Sequence, residues 1–117
     1  MASAREVQNE LRGPVRALRS RQPDAWAGFA ALHGAAMADG ALERKYKELI
    51  ALAISVVKEC DGCIASHARG AARFGATPDE VAEALSVALL MDGGPATVYG
   101  PRAFAAYEEF ASEPSPS

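Results

Sequence analysis

Residues 48–67 read Glu48-Leu-Ile-Ala-Leu-Ala-Ile-Ser-Val-Val-Lys-Glu-Cys60-Asp-Gly-Cys63-Ile-Ala-Ser-His67. The run from Leu49 to Val57 is almost wholly apolar, too short to cross a bilayer, and predicts a buried helix at the centre of the fold. Behind it stand the chain's two cysteines, as a C-x-x-C pair, and one of its two histidines. If 60–67 is helical, Cys60, Cys63 and His67 fall at i, i+3 and i+7, a single stripe on one helix face. A thiol one turn from an imidazole is a way of making thiolate near neutral pH, and thiolate is the reactive form. Glu48 heads the apolar run, and its carboxylate reaches His67 only if two helices pack side by side.

Outward from this stretch the chain reads as helices throughout. Val7, Leu11, Val15 and Leu18 repeat at helical spacing within 3–21, and Gly13-Pro14 predicts a break or kink there. Gln22-Pro23-Asp24 opens a second helix, from Ala25 to about Met37, with Trp26, Phe29 and Leu32 or His33 on the side expected to be buried; contact of Trp26 and Phe29 with a neighbouring subunit is the sharper alternative. His33 is read as a packing or surface residue and left outside the site. The third helix is expected over 42–58, its first turns wetted by Glu43, Arg44, Lys45 and Lys47. The fourth starts at Cys60 or Asp61 and stops at Gly75. Thr77-Pro78-Asp79-Glu80 is a helix-start signal, with Thr as N-cap, Pro at the first position and Glu completing a capping box. That helix ends at Asp92-Gly93-Gly94-Pro95. A last one covers about 96–111, with a kink expected at Gly100-Pro101. No strand or hairpin signal interrupts this series. The expectation is an all-α bundle in one domain, 1–111, followed by a disordered tail, 112–117.

Composition narrows the function. Half of the 117 residues are hydrophobic but only 7% are aromatic, so the core is expected to consist of Ala, Leu, Val and Ile on closely approaching helices. A net charge of −3 with no basic face gives no footprint for nucleic acid. The charged N-terminal stretch lacks the apolar core of a secretory signal, and no stretch suits a membrane, so a cytoplasmic protein is expected. Two cysteines three residues apart close too small a loop to stabilise a fold, which leaves redox cycling or metal binding as the reason for the pair. A zinc site from Cys60, Cys63, His67 and Glu48 is the metal alternative.

The spacing of Glu48, Cys60, Cys63 and His67, followed by Gly-Ala-Thr-Pro-Asp-Glu at 75–80, resembles the alkylhydroperoxidase AhpD family within the carboxymuconolactone decarboxylase superfamily. The redox branch of that family carries a Glu, eleven residues, C-x-x-C, three residues and His, and every spacing is kept here. The likeness runs from about Lys47 to Pro95. It implies an AhpD-like helical bundle and a thiol-dependent peroxidase or disulfide reductase acting on hydroperoxides, reset by a lipoyl- or thioredoxin-type dithiol protein, with no bound cofactor or metal. It also implies assembly as a homotrimer or homohexamer. Helix reasoning favours Cys60 as the attacking thiol, because it meets the positive end of the helix dipole. The resemblance favours Cys63, with Cys60 resolving, His67 taking the thiol proton and Glu48 orienting His67. One feature departs from the best-studied members of the family: they carry a further histidine between the cysteines, where this chain has Asp61-Gly62. The alternatives are a lactone decarboxylase, which does not depend on a C-x-x-C, and a non-enzymatic redox-sensing module.

Overall fold

The computed structural model describes residues 2–113 and contains six helices: α1 (Ala4–Arg21), α2 (Pro23–Met37), α3 (Arg44–Val57), α4 (Asp61–Arg73), α5 (Pro78–Asp92) and α6 (Ala96–Ala111). No strand occurs among the described residues, so the all-α reading holds. The last residues of the expected tail, 114–117, lie outside the described ones.

The start signals act as read. The Thr77 hydroxyl accepts the Glu80 N–H and the Glu80 carboxylate accepts the Thr77 N–H, which closes the capping box. Gly75 and Gly93 take the left-handed backbone that stops α4 and α5. Helix α1 runs on through Pro14, as α6 does through Pro101, so Gly13-Pro14 does not break α1. Ser3 caps α1, its hydroxyl accepting from the Glu6 N–H. The Glu109 carboxylate of α6 accepts the N–H groups of Ala4 and Arg5, so an acidic side chain from a distant helix serves the positive end of α1.

The core is small-residue packing, as the composition suggested. Ala65, Ala68 and Ala71 of α4 and Ala103 and Ala106 of α6 lie buried with Leu49, Leu52 and Val56 of α3, Val81 and Leu85 of α5, and Tyr107 and Phe110 of α6. Alanines on facing helices let the backbones approach closely, and α4 therefore sits between α3 and α6 as the hub of the bundle. Tyr107 brings a hydroxyl into this core and donates it to the Ala76 carbonyl at 2.5 Å in the α4–α5 connection.

Two expectations about apolar helices need correction. On α3, Leu49, Leu52 and Val56 are buried but Ile50, Ile54 and Val57 are about half exposed, so this helix has an inner and an outer apolar stripe rather than a wholly buried surface. On α2 the difference is larger. Phe29 is 66% exposed and Leu32 64% exposed, Trp26 is only half-buried, and Met37 alone is buried. The side of α2 expected in the core is exposed, and no α2 residue joins the core cluster, which α1 and α3–α6 supply.

Candidate active site: a disulfide beside a buried carboxylate–imidazole pair

The site forms where α3 ends and α4 begins. After Val57 the chain reverses in three residues. Glu59 adopts a positive φ of 53°, an uncommon conformation for a residue with a side chain, and the Cys60 N–H returns to the Ser55 carbonyl. This turn brings Cys60 to the N-cap of α4. Its sulfur accepts the Cys63 N–H at 3.2 Å, and the two cysteines are joined as a disulfide with Cα atoms 5.2 Å apart. The cap is thus Cys60 itself. Cys63 is exposed and Cys60 half-buried. His67 stands one turn beyond Cys63 on the same helix, as the spacing predicted.

Antiparallel packing of α3 against α4 lets Glu48, near the start of one helix, meet His67 from the other. The Glu48 Oε2 atom lies 3.1 Å from His67 Nδ1. Glu48 is 2% exposed, one of two buried polar residues among those described. This burial does not fit a solvated charge of the wetted first turns of α3. Its second oxygen, Oε1, accepts from Arg44 Nε at 3.0 Å. Burial pushes the carboxyl pKa up, but the hydrogen bonds from His67 and Arg44 and their positive charge outweigh this, and the net direction is below the ordinary 4.5. Glu48 is therefore ionised at neutral pH. An ionised carboxylate at Nδ1 makes that nitrogen the donor, so in the neutral ring Nε2 is the acceptor, free to take a proton.

Three residues of this arrangement were not placed in it by sequence reasoning. Arg44 was counted with the wetted first turn of α3. Its guanidinium instead lies over the Phe74 ring, 4.4 Å from the centroid, and so is held in place to pair with Glu48. Its i, i+4 relation to Glu48 was the available signal. Gly70, one turn beyond His67, leaves the space Glu48 occupies: a methyl group there would lie 2.0 Å from Glu48 Oε2. Small residues are common on packed helices, and nothing in the sequence marks this one. His33, read as a packing or surface residue, has its ring 6.4 Å from that of His67, centroid to centroid, and nearly parallel to it at 19°. No local pattern connects residues so far apart in the chain.

Leu11 of α1 lies over the C-x-x-C: a Cβ at position 62 would come within 3.0 Å of its Cδ1. The glycine at position 62 thus accompanies a helix lying close over the cysteine turn, and a larger side chain there requires Leu11 to move. Among the described residues no three His, Cys, Asp or Glu side chains converge as a ligand set. No helix among the described residues is long and apolar enough to cross a membrane.

Comparison with known proteins agrees with this architecture. The chain is 38% identical over 99 residues to an uncharacterized protein of Cupriavidus necator, an alignment that covers 85% of this chain and 88% of that one. It is 42% identical over 81 residues to uncharacterized protein 4 in the cox locus of Paracoccus denitrificans, covering 69% and 73% of the two chains. The crystal structure of an apo carboxymuconolactone decarboxylase family protein from Legionella pneumophila superposes with a TM-score of 0.89 at 38% identity, over 92% of this chain and 96% of that one. Residues 23–109 match the family model for carboxymuconolactone decarboxylases, a span that takes in Glu48, Cys60, Cys63 and His67, and the chain accordingly belongs to the carboxymuconolactone decarboxylase family.

Proposed function

We propose that the protein is a thiol-dependent peroxidase of the AhpD-like type, which reduces hydroperoxides through Cys60 and Cys63. The observation that carries this reading is the buried Glu48 carboxylate on His67 Nδ1, one helical turn from an exposed cysteine that is joined to its neighbour. In the reduced protein, His67 Nε2 takes the Cys63 thiol proton, and Glu48 stabilises the imidazolium that results. The Cys63 thiolate attacks the terminal oxygen of the hydroperoxide. The O–O bond breaks, the S–O bond forms, and the departing alkoxide recovers the proton from His67 to leave as alcohol. Cys63 is now a sulfenic acid. The Cys60 sulfur displaces its oxygen, which leaves as water, and the disulfide closes. Two electrons have passed from the thiols to the peroxide.

Reduction runs through the same geometry. A thiolate of a dithiol donor attacks the exposed Cys63 sulfur, and Cys60 departs as thiolate. At the N-cap it keeps the Cys63 N–H and the positive end of α4 as its stabilisation, which suits it as leaving group. The donor's second thiol then resolves the mixed disulfide. A lipoyl- or thioredoxin-type protein has the chemistry required. The helix argument for Cys60 and the imidazole argument for Cys63 thus describe two halves of one cycle.

The test is turnover of an organic hydroperoxide by the reduced protein, coupled to a lipoyl- or thioredoxin-type donor. Wild type is expected to lose two hydrogens at Cys60–Cys63 by mass spectrometry, and Cys63→Ser to lose turnover. Turnover that survives in Cys63→Ser, or an unchanged mass after peroxide, removes this reading. A decarboxylase would instead act on a lactone acid with both cysteines replaced. The same proposal includes assembly. Phe29 and Leu32 of α2, and Leu90 and Met91 of α5, are exposed apolar side chains that further copies would cover in a trimer or hexamer, a state that sedimentation measures directly.

A further inference from the structure

The chain contains two histidines, and they lie beside each other. His33 comes from α2 and His67 from α4, helices that are not neighbours in sequence. Their ring centroids are 6.4 Å apart and their planes differ by 19°, within the range of offset-stacked aromatic pairs. Helix α2 contributes no residue to the main core cluster, and Phe29 and Leu32 beside His33 point to solvent. Tight burial therefore does not force His33 toward the site.

His67 needs a second support. Its Nδ1 is fixed by Glu48, and Glu48 by Arg44, Phe74 and the space over Gly70. One hydrogen bond at one edge fixes where that nitrogen is, but it leaves the ring free to rock about the bond. Terminal ring torsions are broad, so the side chain's own preference does not supply the missing restraint. His67 is half-buried, and the exposed side of its ring is where rocking would be easiest. The near-parallel His33 ring, 6.4 Å away between centroids, limits this motion. Any rocking of the ring also moves Nε2, the atom that takes the Cys63 proton in the proposed reaction.

The geometry points to His33 as a positioning residue for His67: its ring limits the orientation of the His67 ring so that Nε2 stays directed toward the cysteine turn. His33 itself exchanges no proton with the substrate. It acts through the plane of its ring, so a flat side chain without ring nitrogens serves in its place.

This deepens the peroxidase reading, and the experiment separates the two. His33→Ala and His33→Phe are compared with wild type in two assays on the full chain. The first is alkylation of the reduced protein by iodoacetamide at neutral pH, read at Cys63 by peptide mass spectrometry, which needs no peroxide. The second is hydroperoxide turnover with a dithiol donor. His33→Ala is expected to slow Cys63 alkylation about tenfold and to lower kcat by a similar factor with KM within about twofold, since a displaced general base costs rate rather than binding. His33→Phe is expected to return both to within about twofold of wild type. His33 is exposed, so both variants are expected to fold, and circular dichroism verifies it. Wild-type alkylation rates in His33→Ala overturn the proposal. So does failure of His33→Phe to recover the rate, which assigns His33 a titrating role instead. If no variant turns over peroxide but alkylation follows the expected order, the positioning role stands and the peroxidase reading falls.

Discussion

Helices α2 and α3 are both rich in apolar residues, and only α3 enters the core. The difference lies in what each meets. On α3, Leu49, Leu52 and Val56 face α4, α5 and α6, whose alanines admit them closely, and Glu48 extends the same inner stripe to His67. On α2, the side chains of matching character face outward, and its link with the site is His33. Periodic apolar residues therefore establish that a segment is a helix with a face to cover. They do not say whether the covering surface belongs to the same chain.

Substitution turns this contrast into numbers. Leu52 is fully buried, and Leu52→Ala is expected to cost about 2–5 kcal/mol by urea denaturation, because it leaves a cavity among close-packed helices. Phe29→Ala, a larger truncation, is expected to cost under about 0.5 kcal/mol in protein dilute enough to be monomeric. If Phe29→Ala proves as costly as Leu52→Ala at every concentration, α2 is packed in the single chain and the contrast fails. A cost that appears only as protein concentration rises means that another copy covers α2.

Much of this was legible before any coordinates. The six helices, the Thr77 capping box and the Gly75 and Gly93 stops are local chemistry, decided by a few adjacent residues. The Glu48–Cys60–Cys63–His67 spacing was legible as a motif, and the α3–α4 reversal explains it, since the intervening residues return the chain antiparallel and set Glu48 opposite His67. Arg44, Gly70 and His33 were not legible, for different reasons. Arg44 owes its role to Phe74 at the end of α4, Gly70 to a carboxylate 22 residues earlier in the chain, and His33 to the placement of α2. Each is a tertiary coincidence with no sequence period. The continuity of α1 through Pro14 belongs with them: the rule that proline interrupts a helix was outweighed, and α1 is docked at its N-terminus by Glu109 of α6.

Gly70→Ala probes the inner side of the comparison from the opposite helix. Its methyl group would meet the Glu48 carboxylate, so either the carboxylate is displaced or α3 and α4 separate. Displacement by a methyl in a packed interior costs about 1–3 kcal/mol, and it also withdraws Glu48 from His67. Cys63 alkylation in the reduced variant is therefore expected to fall along with stability. Unchanged stability together with unchanged alkylation would mean that the carboxylate has room elsewhere and that Gly70 is a packing glycine only.

The smallest effect separates the buried charge from its packing. Glu48 has a folded pKa below its ordinary 4.5, so its ionised form is favoured by folding. For a depressed carboxyl pKa the stabilisation is fully present above 4.5, and it is lost as pH falls through the lower folded value, because the unfolded chain takes up the proton first. Glu48→Gln keeps the shape and removes the charge. The difference in melting temperature between wild type and Glu48→Gln is expected to narrow steadily as pH falls below 4.5. The charge at Glu48 is held by its hydrogen bonds with Arg44 and His67. A difference that stays constant down to pH 3 would mean that Glu48 holds α3 against α4 by its shape alone, and the inner stripe of α3 would then be packing throughout, with no electrostatic part.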